Sequence, residues 1–169
     1  MKKDLAVIFG LFLVVVILVI FGRGYTSIGL SGLGKSGATE SAVTGEAIEV
    51  KIKTLSVEAK VAATSAERKQ GLSNLESLPL GEGMLFVFEN EGKYGIWMKD
   101  MKFAIDVAWI DSDRKIVDMA KNVPPEPDKK EGELTIYKPQ FGAIYILEVN
   151  AGLLALHGIQ VGDTVEFEL

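Results

Sequence analysis

Three acidic residues stand in or beside apolar runs and are this chain's material for proton chemistry. Asp106 is flanked by Ile105 and Val107, Glu148 by Leu147 and Val149, and Asp100 lies a short loop before Asp106. Two carboxylates a few ångströms apart, one with a raised pKa, could run glycoside hydrolysis. More often such an acid pairs with a buried Lys or Arg, or accepts backbone N–H bonds at a turn. Asp100, Asp106 and Glu148 are therefore only weak catalytic candidates. The most unusual local cluster is Trp97-Met98-Lys99-Asp100-Met101. In a strand, Trp97 and Lys99 would share one face while Met98 and Asp100 share the other. A Trp beside a Lys on an exposed face makes a platform for a sugar ring or another planar ligand, so Trp97 and Lys99 are the binding candidates. The plainer alternative, and the commoner one, is a core Trp at a strand end with a solvated Lys. Trp109, in a strongly apolar run, reads as core.

Other chemistries have less to work with. The chain has no cysteine, which excludes disulfides, thiol catalysis and Cys-ligated zinc. Met84, Met98, Met101 and Met119 with the single His157 would suit a soft ion such as Cu(I) if clustered. Methionines in strands are far more often core filler, so no metal ligand and no cofactor is assigned. His157 has no partner for a catalytic triad. Asp111-Ser112-Asp113 is too short for a calcium loop and reads as a turn. The run from Gly29 to Ser36 (GLSGLGKS) has the spacing of a phosphate loop, but it lies in the Gly/Ser/Thr-rich tether with no strand signal before it and is set aside. Net charge is −5 with acidic and basic residues interleaved. Without a Lys/Arg stripe, nucleic acid is not an expected partner.

The elements that must position these residues are mostly short strands. Alternating or continuous apolar runs predict strands at 48–54, 57–63, 84–88, 94–98, 105–110, 115–119, 143–149 and 164–169. Thr64-Ser65-Ala66-Glu67 is a capping-box pattern that predicts one short helix, with Gly71 placed to end it. A second helical turn is signalled at 153–157, closed by Gly158. Asp111-Ser112-Asp113 joins two strands as a hairpin. The polar stretch 124–133 is a long loop, of the kind that is functional or disordered. Residues 46–169 thus predict a mainly β domain, a small barrel or sandwich with one or two short helices.

Residues 5–21 contain no charged or polar side chain. At ~1.5 Å per residue the run covers roughly 25 Å, close to the hydrocarbon thickness of a bilayer. It is longer than the about 7–15 apolar residues of a signal peptide and lacks a small-x-small cleavage site. Residues 1–21 therefore predict a transmembrane helix acting as an uncleaved signal anchor. Lys2 and Lys3 favour a cytoplasmic N-terminus, with everything after the anchor outside the cytoplasm in a single-pass membrane protein. Residues 22–45, rich in Gly, Ser and Thr, predict a flexible linker. The expected contacts are the membrane through residues 5–21 and an envelope glycan, small ligand or membrane protein partner.

Several short runs in fixed order resemble one family. They are Gln70-Gly71-Leu72, the run from Glu82 to Phe88 (EGMLFVF), Ile96-Trp97-Met98-Lys99-Asp100-Met101 and the run from Ile105 to Asp111 (IDVAWID). The run from Leu147 to Gly152 (LEVNAG) and Gly162-Asp163 complete the set. Over residues 56–169 this order resembles the DUF192 family, also called UPF0127. The resemblance implies a compact, mainly β domain, often exported or membrane-tethered, with no assigned catalytic activity. The chain departs at Leu72-Ser73-Asn74, where the family commonly has Leu-Met-x-Arg, so a role resting on that Arg does not transfer. The reading that follows is a membrane-tethered, non-catalytic ligand- or partner-binding module. The alternatives are a carboxylate-dependent saccharide-acting enzyme or an accessory subunit of a membrane complex.

Overall fold

The computed structural model describes residues 46–169, so the expected anchor (1–21) and linker (22–45) lie outside the described residues. No helix among the described residues is long and apolar enough to cross a membrane. Six strands form one mixed sheet: β1 (Ala47–Ile52), β2 (Leu55–Ala62), β3 (Glu82–Gly92), β4 (Ile105–Ile110), β5 (Ile116–Val123) and β6 (Ala143–Asn150). Their order is β1-β2-β3-β6-β4-β5. Only β2 and β3 run parallel. A parallel pair needs a crossover, and residues 63–81 supply it, carrying helix α1 (Ser65–Gln70). The expectation of a barrel or sandwich resolves to this single mixed sheet with short helices.

Alternation along the strands explains why both faces are buried. On β6, Leu147 packs on one face with Val50, Val57, Leu85, Ile110 and Val165. Ile146 packs on the other with Met84, Phe86, Val107 and Trp109. Strand β4, between β5 and β6, is buried at all six positions. The edges β1 and β5 share one partner. Lys51 exchanges backbone bonds with Glu166, while Val165 donates to Arg114 and Ile116 to Asp163. The last residues thus tie both edges, but by single bridges only, so the strand expected at 164–169 does not form. The strand expected at 94–98 is likewise absent, replaced by one bridge between Ile96 and Tyr137. β3 and β5 run longer than their apolar runs, to Gly92 and Val123.

Local signals behave as written. Thr64 accepts from the Glu67 N–H at 3.2 Å and the Glu67 carboxyl accepts from the Thr64 N–H at 2.8 Å, completing the capping box. Gly71, at φ +49°, ends α1 in a conformation that L side chains rarely adopt. Helix α2 spans Leu153–Leu156. Between β4 and β5, the Asp111 side chain accepts from the N–H groups of Asp113 and Lys115. The 124–133 stretch is ordered around Glu126, which accepts from Lys129 and from both the N–H and hydroxyl of Thr135. Those bonds, Lys129 first, lower the Glu126 carboxyl to about 2.

Candidate functional site

A cavity of about 160 Å³ opens over the β3–β6–β4 face, between α1 and the loop joining β3 to β4. Glu148 forms its floor, projecting from β6 between Met84 of β3 and Val107 of β4. The walls are Leu72, Phe86, Phe88, Ile96, Trp97 and Met101, with Arg68 and Lys69 contributed by α1. Close approach of the strands is part of this geometry. A Cβ on Gly83 would lie 2.9 Å from the Glu148 carbonyl oxygen. The loop wall is tied from several sides: the Trp109 indole donates to the Tyr94 carbonyl at 2.8 Å, and the Ser73 hydroxyl to the Lys99 carbonyl at 2.7 Å. Asn74 N–H donates to the Asp100 carbonyl at 2.9 Å. On the helix side, Tyr94 stacks on Phe88, and the Arg68 guanidinium lies 4.9 Å from the Phe88 ring centre. Arg68 also donates to the carbonyls of Ala63 and Val87, which fixes it at the rim.

The acids expected from sequence separate into three unlike environments. Glu148 is 6% exposed, and among the described residues nothing donates to its carboxyl. Burial alone pushes it up to about 8, so at neutral pH it is largely a protonated acid, able to donate as well as accept. Asp106 is fully buried on the opposite face, where its two oxygens accept from the N–H of Asn122 at 2.7 Å and of Leu154 at 3.0 Å. It ties β5 and α2 to β4 and does not line the cavity. Asp100 is exposed at φ +55° and pairs with Lys99 at 2.7 Å. The three do not meet, so no carboxylate pair of the glycosidase kind is assembled.

Trp97 is 40% exposed and lines the cavity, which removes the plainer reading of a core Trp. Trp109, at 2%, is core as expected. Lys99 does not line the cavity; its ammonium turns to Asp100, whose hydrogen bond raises it. Because 94–98 is not a strand, the shared faces expected for Trp97 with Lys99 and Met98 with Asp100 do not hold: Met98 is buried and Asp100 exposed. The methionines split as well. Met84, Met98 and Met101 pack in the cavity-side core, Met119 against the other, and His157 bonds Thr54 at 2.9 Å. Among the described residues no group of three His, Cys, Asp or Glu is placed to hold a metal. Sequence reasoning missed Arg68, Lys69 and Phe88 as wall residues. The available signal was the capping box, which placed α1 directly before Gly71.

The pattern of the family DUF192, described as an uncharacterized ACR, matches residues 48–167. The chain belongs to the DUF192 family. Two UPF0127 proteins of Thermococcus are similar to it. That of T. kodakarensis is 29% identical over 121 residues, 70% of this chain and 70% of its own length. That of T. sibiricus is 28% identical over 112 residues, 65% of this chain and 66% of its own. The DUF192 chain therefore spans about two thirds of the length of these relatives. A crystal structure of a protein of unknown function from Novosphingobium aromaticivorans superposes with a TM-score of 0.66 at 28% identity. That likeness covers 79% of this DUF192 chain and 99% of the other.

Proposed function

We propose that this DUF192 domain is a non-catalytic binding module for a small ring-bearing ligand, carried outside the cytoplasm on a membrane anchor at residues 5–21. The observation that carries the binding reading is Glu148: a carboxyl 6% exposed, with no donor among the described residues, opening onto a cavity with aromatic and aliphatic walls. A carboxyl that opens onto a cavity and meets no donor of the described residues is free to exchange its hydrogen bond with an incoming group. An apolar pocket with one convergent polar group is the usual form of a small-molecule site. Trp97, half-exposed at the wall, offers a ring face for stacking. The separation of Asp100, Asp106 and Glu148 leaves the saccharide-acting enzyme without an acid/base pair. The anchor rests on the sequence of residues 5–21 and on their flanking lysines.

The test is a thermal-shift and calorimetric screen of the full-length chain in a sugar-free nonionic detergent. The panel is monosaccharides, aromatic acids, amines and alcohols, run in parallel with Trp97→Ala. At about 100 times Kd a bound ligand adds about 2.7 kcal/mol of stability. A shift in the wild type that shrinks in Trp97→Ala supports the reading. A ligand bound equally by both proteins removes Trp97 from the site, and a panel without any binder removes the small-ligand role.

A further inference from the structure

Charge around the Glu148 cavity is one-sided. Apart from Glu148 itself, the charged residues of the lining are the two cations of α1, Arg68 and Lys69. The remaining groups facing the carboxyl do not titrate. β3 presents Met84 and Phe86, β4 presents Ile105 and Val107, β6 adds Ile146, and the β3–β4 loop adds Trp97 and Met101. Lys99 and Asp100 neutralise each other away from the lining. An uncharged carboxyl offers one O–H donor to an incoming group. A ligand ammonium would have to pass two like charges to reach it. A ligand oxyanion is drawn in by those charges and meets a donor at the floor, and an O–H···O⁻ bond is among the stronger hydrogen bonds. The volume, about 160 Å³, is close to that of an apolar cavity of ~150 Å³ that takes benzene.

We infer that the cavity takes a ring-bearing monocarboxylate as its anion, with its ring against the apolar walls, its carboxylate toward Glu148 at the floor, and Arg68 and Lys69 at the rim. This rests on the binding reading above and adds the ligand's charge. Two sources share that chemistry, a free aromatic acid and the acidic sugar of a glycan. A pH signature follows from the same geometry. Ionising Glu148 would set two carboxylates against each other, so only the protonated form binds. With the group titrating at about 8, affinity for the anion is nearly level up to neutrality and falls about tenfold between pH 7 and pH 9.

Calorimetry on the full-length chain in a sugar-free nonionic detergent tests this with benzoate, glucuronate, benzylammonium and benzyl alcohol at pH 6, 7 and 9. Benzoate or glucuronate is expected to bind tightest, and which of the two does so separates aromatic acid from acidic sugar. The tighter acid is expected to weaken about tenfold from pH 7 to pH 9. Glu148→Gln keeps a neutral donor at every pH, so its affinity for that acid is expected to stay level. Tighter binding of benzylammonium or benzyl alcohol overturns the inference and leaves the binding reading standing. So does a level wild-type profile between pH 7 and pH 9, which needs no variant to read. If none of the four binds, the inference falls, and the binding reading is decided by the wider panel.

Discussion

The two faces of the sheet each bury one acid on neighbouring strands, and the two acids could hardly be treated more differently. Asp106, on β4, has both oxygens occupied by backbone N–H groups from β5 and α2. Glu148, one register position away on β6, has no donor among the described residues and a cavity in front of it. Burial is common to both, so burial does not mark a functional acid. The distinction is whether the protein itself has filled the acid's hydrogen-bonding capacity. On one face the acid holds three elements together; on the other it faces a cavity with no donor among the described residues.

The sharpest way to break this contrast is to titrate it. Glu148 is raised from 4.5 to about 8 by burial. Below about 4.5 it is protonated in both folded and unfolded chains and adds no pH dependence. Above that the unfolded chain ionises while the folded one does not. Stability therefore falls as pH rises from 4.5 to 8, by up to about 5 kcal/mol at 1.36 kcal/mol per pKa unit. Urea denaturation of the wild type across that range should show the slope, and Glu148→Gln should flatten it. Equal slopes in the two proteins would place Glu148 in a far wetter setting than the one described. Next in size is Asp106→Ala, which strands two N–H groups at about 1–3 kcal/mol each. A loss of about 2–6 kcal/mol in urea midpoint-derived stability is expected. A loss below about 1 kcal/mol would mean that water replaces the carboxyl and that the two faces are less unlike than drawn. The smallest effect belongs to Lys99→Ala. Its ion pair with Asp100 is solvent-exposed on both sides, so no measurable loss of stability is expected. Ligand affinity should also hold in that variant, whereas Trp97→Ala should lower it.

Much of the fold could be read locally. The capping box at Thr64 and Glu67, the stop at Gly71 and the turn at Asp111 depend on residues within four positions of one another, and all three are present. Strand existence followed from alternation, and β4 and β6 lie close to their apolar runs. Pairing did not follow, because it is settled by distant partners. Nothing in residues 55–62 announces that they run parallel to 82–92. Residues 94–98 look like a strand by composition, yet only Ile96 finds a bridging partner and the backbone turns away to form a cavity wall. The acids show the same limit. Asp106 and Glu148 have similar apolar neighbours in the chain, but the N–H groups that occupy Asp106 come from 16 and 48 residues downstream. That Glu148 lacks such donors is a fact about the whole fold, and no window of sequence around it carries the information.

The tie made by residues 163–166 to both edge strands has a consequence for how the protein comes into being. These residues follow every strand they join, so a sheet assembled before they are made has two untied edges, and open edges recruit other chains. Until residues 163–166 arrive, each copy lacks the bridges that tie its two edges. The hazard of misassociation is concentrated in that interval, and it is set by the pace of synthesis rather than by the stability of the finished domain.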